Sequence, residues 1–209
     1  MAPYPLRVYR VPFSTNVERV ALALAHKGIE VEYVDVPNDD RREVVRVSGQ
    51  ELVPVLVDGD RVVADSTAIL EHLEERFPER PLYPADSARG AELRLFVDWF
   101  NRVWKGPPNL IVAEEARSEP DRARIAELET EIAGSLPRFE ELLTGRDFLF
   151  GDELSAADVA VFPFLKYALV WEEGDPDRFH EVLRDTLRLD GRFPRLDAWI
   201  RRIDALPRA

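Results

Sequence analysis

The residues best placed to do chemistry sit at one junction, Pro12-Phe13-Ser14-Thr15-Asn16-Val17-Glu18-Arg19-Val20. A β-branched and aromatic run, Arg7 to Val11, ends at Pro12, and a hydroxyl follows directly before a helical pattern begins. Val17, Val20, Ala21 and Leu24 fall at i, i+3, i+4 and i+7, which predicts an amphipathic helix over residues 16–27, stopped by Gly28. Such a strand-to-helix junction presents unpaired backbone N–H groups and the positive end of the helix dipole, a setting that favours an anion. Ser14 can serve that anion, or it can help start the helix beside a Thr15–Glu18 capping box. The chain contains no cysteine, so thiol chemistry here needs a thiol carried in by a small molecule.

The missing cysteines also exclude disulfides, CxxC redox pairs, cysteine nucleophiles and thiolate metal sites. His26, His72 and His180 are scattered without ligand spacing and read as surface or packing residues, so no metal is expected. Walker, dinucleotide-binding and nucleophile-elbow motifs are absent from the sequence. A net charge of −12 repels phosphate backbones, which argues against nucleic acid as a partner. No apolar run approaches the ~18 residues of a membrane span. Met1 to Pro5 lack the charged-then-apolar order of a leader. The expectation is a cytoplasmic protein with no membrane partner. Hydrophobic residues make up 45% of the chain, enough for a sizeable core.

The elements that must position Ser14 follow from periodicity. Val31 to Val36 reads as a strand, so residues 7–36 form a βαβ unit. Residues 39–47 suit a short charged surface helix. Leu52 to Val63 reads as a hairpin around Asp58-Gly59, with Pro54 at a strand start where a cis peptide fits. Ser66 is the expected N-cap of a following helix, which Phe77 to Pro84 ends. Beyond residue 85 the pattern is helical throughout. Gly106-Pro107-Pro108 should break or bend one helix, residues 121–143 suit a long helix with an irregularity at Gly134 to Pro137, and Pro163 should kink a deeply apolar one. Ser155 and Asp158 form a capping box at the start of that apolar helix, and helices at 177–187 and 194–205 follow. The expected division is a domain at 1–80, a linker at 81–85 and a helical domain at 86–209.

Four segments, in order, resemble the cytosolic glutathione S-transferase family of the bacterial, serine-type kind. Pro12 to Val20 resembles its active-site segment, and Val53-Pro54-Val55-Leu56 its cis-proline loop. Asp65-Ser66-Thr67-Ala68-Ile69 is similar to its glutathione motif, and Leu154 to Val159 to the start of its central helix. The resemblance implies an α/β thioredoxin-like N-terminal domain joined to an all-α C-terminal domain, and a homodimer. It further implies glutathione as co-substrate, with Ser14 donating a hydrogen bond to the thiolate, which attacks a small hydrophobic electrophile. Phe13, Gln50, Leu52, Val53, Pro54, Asp65 and Ser66 would surround glutathione. Ser66 and its backbone would take the γ-glutamyl carboxylate, Asp65 the ammonium, and the Val53 backbone the cysteinyl peptide. Trp99, Trp104 and Tyr167, with Phe100, Phe164 and Trp171 near them, are candidate walls for the second substrate.

Leu52 departs from the pattern. The family often places Lys, Gln or His there to meet the glycine carboxylate of glutathione, and Gln50 is the available substitute. That departure leaves two alternatives beside the transferase: an enzyme using a different small thiol, and a non-catalytic binding or regulatory protein on the same fold.

Overall fold

The computed structural model describes residues 6–209. The leader reading of Met1 to Pro5 lies outside the described residues. These fall into two compact units: one runs to Tyr83 and takes in Leu206–Ala209, the other is Pro84–Ala205. The last four residues, placed by sequence in the helical domain, thus belong to the first unit. Arg208 there pairs with Glu18 at 2.8 Å, and the Ala209 N–H donates to the Ala21 carbonyl.

The first unit is built from β1 (Leu6–Arg10), α1 (Thr15–Lys27), β2 (Val31–Asp35), α2 (Arg42–Ser48), β3 (Val55–Asp58), β4 (Arg61–Ala64) and α3 (Ser66–Arg76). The sheet order is β2-β1-β3-β4. Strands β1 and β2 are parallel, because α1 carries the chain back across the sheet. The other two pairings are antiparallel, and Gly59, at φ 60°, lets the β3–β4 turn close tightly. Tyr9, Val55 and Val57 pack with Val44 of α2 on one face. Val8 and Leu56 alternate to the other face, and α1 and α3 pack on each other.

Helix α1 corrects the amphipathic expectation. Its buried residues include Thr15, Val17, Arg19, Lys27 and all of Val20 to Leu24, which is burial on nearly every side. The continuous run Val20-Ala21-Leu22-Ala23-Leu24 leaves no solvent face in its stretch of the helix.

The second unit is helical: α4 (Ser87–Trp99), α5 (Gly106–Glu115), α6 (Arg122–Ala133), α7 (Leu136–Leu142), α8 (Ala156–Leu165), α9 (Arg178–Thr186) and α10 (Pro194–Asp204). Between α4 and α5 the chain widens into a π-helical turn, Phe100–Trp104, in which the Lys105 N–H donates to the Phe100 carbonyl at 3.0 Å. Pro107 and Pro108 sit in the first turn of α5, where a missing N–H costs little. The expected long helix divides into α6 and α7 at Gly134–Ser135. Pro163 stays inside α8, and a 3-10 turn, Lys166–Ala168, follows. Every residue of α8 is buried. Among the described residues, no helix is long and apolar enough to cross a membrane.

Candidate functional site

Strand register brings three of the sequence-predicted segments to one end of the sheet. Tyr9 pairs with Val55, and Val55 pairs with Ala64. Tyr9 stands one residue from the end of β1, Val55 opens β3 and Ala64 closes β4. The segments just beyond that line are Pro12–Ser14, Leu52–Pro54 and Asp65–Ser66. Neighbouring strands lie about 4.8 Å apart, so these loops share one rim.

At the first loop, Phe13 takes a left-handed φ of 60°. That conformation is uncommon for a bulky residue, and here it turns the chain sharply from β1 into α1. Ser14 then becomes the N-cap: the Val17 N–H donates to its Oγ at 3.3 Å and the Glu18 N–H to its carbonyl at 3.0 Å. The Thr15–Glu18 capping box does not form. Thr15 is the first helical residue and is buried, and Glu18 faces Arg208 instead. Ser14 is half-buried, and its bond to Val17 uses an oxygen lone pair. A serine hydroxyl has two lone pairs and one proton, so capping leaves the proton available for donation.

At the third loop, Asp65 rather than Ser66 is the N-cap of α3. Its Oδ1 accepts the Thr67 and Ala68 N–H groups at 2.8 and 3.1 Å. Asp65 also carries a left-handed φ, 79°, and its short carboxyl reaches the helix start from that turn. Ser66 is the first helical residue and only 3% exposed. Its Oγ receives Nη1 of Arg19 at 3.2 Å and donates to Oδ1 of Asn16 at 3.5 Å. Neither Arg19 nor Asn16 stands out in the sequence as a partner of Ser66. The signal was there for Arg19: a charge beside an unbroken apolar run on a helix has nowhere to reach solvent.

The middle loop contains the cis Val53–Pro54 bond and ends on buried Pro54. Leu52 is 78% exposed and offers only apolar surface. Gln50 folds back on its own loop: Oε1 accepts the Leu52 N–H, while Nε2 donates to the Leu52 carbonyl at 2.8 Å and to Ser48 Oγ at 3.1 Å. The Gln50 amide, expected to substitute for the Lys, Gln or His that the family often places at Leu52, is thus engaged at both ends within its own loop.

The second unit redistributes the aromatic candidates. Trp104 is 5% exposed, stacks on Phe100 at 4.6 Å and donates from Nε1 to Ser135 Oγ. Tyr167 is 1% exposed, stacks on His180 and donates to Asp175 Oδ2 at 3.2 Å. Both are core residues, corrected from pocket walls, because their polar groups find partners inside the unit. Trp99 borders a cavity of about 680 Å³ within the second unit, with Phe96, Phe139 and Leu142 as its other apolar walls. No group of three or more His, Cys, Asp or Glu able to hold a metal ion occurs among the described residues.

Comparison with known proteins gives matches along most of the chain. Residues 8–81 match the family model for the glutathione S-transferase N-terminal domain, and residues 122–202 that for its C-terminal domain. A zeta-class glutathione S-transferase of Euphorbia esula is 31% identical over 86% of this chain and 83% of its own length. A stringent starvation protein A homolog of Haemophilus influenzae is 30% identical over 70% of this chain and 67% of its own. Among solved structures, a glutathione S-transferase of Methylobacterium radiotolerans in complex with glutathione sulfonate superimposes with a TM-score of 0.77. It is 25% identical, over 99% of this chain and 96% of that one.

Proposed function

The chain belongs to the glutathione S-transferase family and is a glutathione-transferase-like enzyme, and on that premise we propose that it is a serine-type transferase acting through Ser14. Glutathione lies along the shared rim, with its γ-glutamyl end at the start of α3, its cysteinyl peptide along the Val53 backbone and its sulfur beside Ser14. The Ser14 hydroxyl donates to the sulfur and favours the thiolate, lowering the thiol pKa from its ordinary ~8.5. The thiolate attacks an electrophilic carbon of a small apolar substrate. A carbon–sulfur bond forms as the leaving group departs with its electron pair, or as a π bond shifts. Holding both reactants in one cleft supplies much of the acceleration.

One observation carries this reading: Ser14 caps α1 through a lone pair and keeps its proton, so the capping role and the thiolate role are compatible. Left-handed turns at Phe13 and Asp65 support it, since strained backbone at both junctions points to a site worth its cost. The test is calorimetric titration with reduced glutathione, joined to turnover of an activated aryl halide. Saturable binding and turnover, with turnover lowered about ten- to a hundredfold in Ser14→Ala while binding persists, is the expected result. Turnover unchanged in Ser14→Ala contradicts it.

A second reading is favoured by the exposed Leu52 and the engaged Gln50, which provide no cation for the glycine carboxylate of glutathione. It is a different small thiol, or a regulatory role on the same fold, and similarity to a stringent starvation protein A homolog is compatible with the latter. No binding at millimolar glutathione selects this reading. Our assignment of a homodimer follows the family and is checked by sedimentation.

A further inference from the structure

Residues 206–209 lie on α1. The Ala209 N–H donates to the Ala21 carbonyl at 3.2 Å. Arg208 donates from Nε and Nη2 to Oε1 of Glu18 at 3.2 and 2.8 Å, across 190 positions of sequence. Its Nη1 donates to the Leu206 carbonyl, so the guanidinium is held from both sides. The pair is mostly shielded, with 25% of the Arg208 side chain and 15% of the Glu18 side chain exposed. Ion pairs that touch solvent add little stability, so where these charges sit matters more than what they add to folding.

Glu18 stands in the first turn of α1, one turn beyond Ser14, and its N–H donates to the Ser14 carbonyl at 3.0 Å. A carboxylate there occupies the positive end of the helix dipole, the same field that favours a thiolate beside Ser14. A like charge so near disfavours that thiolate unless a cation offsets it. Arg208 meets the Glu18 carboxylate directly. Other charges around the rim are turned elsewhere. Arg19 bonds Ser66, Asp65 accepts the Thr67 and Ala68 N–H groups, Arg10 at the end of β1 pairs with Asp35, and Glu51 of the middle loop is exposed.

Resting on the Ser14 reading above, we propose that Arg208 is a positioning residue of the thiolate site. It pins the Glu18 carboxylate and offsets its charge, so that the N-terminus of α1 stays favourable to an anion. It acts through Glu18, without touching the ligand.

The test follows thiolate absorbance of bound glutathione against pH in wild type, Arg208→Ala, Glu18→Gln, the double variant and Arg208→Lys, with Ser14→Ala beside them. A unit charge about one helical turn from a thiolate moves its pKa by roughly half a unit to one unit. Arg208→Ala is expected to raise the midpoint by that amount, and Glu18→Gln to lower it by a similar amount. The double variant, neutral at the pair as wild type is, should return close to the wild-type midpoint. Arg208→Lys keeps the charge and should hold it. A latch that only stiffens α1 gives a different pattern: both single variants raise the midpoint and the double variant does not recover. That pattern overturns the inference, and so does a midpoint unmoved by Arg208→Ala. If Arg208→Ala loses its cooperative urea transition, the Glu18→Gln shift decides, downward in support and upward or absent against. Equal midpoints in wild type and Ser14→Ala overturn the Ser14 reading alone, since the directions of the Arg208 and Glu18 shifts still decide the charge pairing. A wild type that binds no glutathione overturns both.

Discussion

Ser14 and Ser155 are both N-cap serines at the start of a packed helix, and their surroundings differ in one decisive respect. Around Ser155 the polar groups form a closed set. Its N–H and Oγ donate to Asp158 Oδ2 at 2.9 and 2.6 Å, while the Leu149 N–H and Trp199 Nε1 donate to Oδ1, each at 2.8 Å. Burial pushes the Asp158 carboxyl pKa upward, and these four donors pull against it. The proton of Ser155 is taken up inside the fold. At Ser14 the oxygen accepts one long bond and the residue is half-exposed, so on the proposed function its proton is the one a ligand meets. The same local pattern thus closes on itself in a buried core in one unit and leaves a half-exposed hydroxyl at the end of the sheet in the other. What separates them is whether a partner within the fold consumes the hydroxyl proton.

That contrast is broken most forcefully at Asp158. Asp158→Ala leaves buried N–H donors without acceptors, and should cost about 3–5 kcal/mol in urea denaturation. By contrast, Ser14→Ala should cost only ~1 kcal/mol, the usual value of an N-cap. The next largest effect reverses the order. Ser14→Ala should lower kcat/KM at pH 7 by about ten- to a hundredfold, the loss of one hydrogen bond to a charged group. If Ser14→Ala proves as destabilising as Asp158→Ala and leaves kcat/KM intact, the two serines do the same job.

A smaller effect sharpens the picture of the rim. Leu52→Lys places a cation where side-chain exposure is high, so the urea midpoint should not move, while glutathione affinity rises about three- to tenfold. Unchanged affinity would argue for a different thiol. The smallest effect involves neither serine. Glu115 is held below the ordinary carboxylate range by its hydrogen bonds from Arg178, at 2.8 and 2.7 Å. A depressed carboxylate adds stability above the unfolded-state pKa and loses it as pH falls through the folded-state value. Arg178→Ala should therefore remove a pH-dependent contribution of at most about 1 kcal/mol, because the pair is partly exposed. Denaturation curves at pH 7 and at pH 3 should differ less in the variant than in wild type.

Much of the fold is legible in short patterns, because each of its junctions carries its own local signal. Asp58-Gly59 marks the hairpin, Ser155 with Asp158 marks the start of α8, and Gly28 ends α1 in a left-handed turn. The site is legible only in part. Ser14 and Asp65 stand where residue type and spacing suggest, but the capping partners differ. Ser66 yields the cap to Asp65, whose left-handed turn brings its carboxylate to the Thr67 and Ala68 N–H groups. Arg19 acts across 47 positions of sequence, and no periodicity within α1 reports a partner in α3. Trp104 and Tyr167 are aromatic at helical spacing, a pattern shared by cores and pockets. Their partners, Ser135 and Asp175, settle the matter only once the helices are packed.

The central claim concerns a proton on Ser14, and it is tested most directly by following thiolate absorbance of enzyme-bound glutathione against pH. The account predicts a midpoint below the free thiol's ~8.5 in wild type, moving upward by about one to two units in Ser14→Ala. Equal midpoints in the two proteins, with glutathione bound in both, would contradict it and leave Ser14 as the cap of α1 alone.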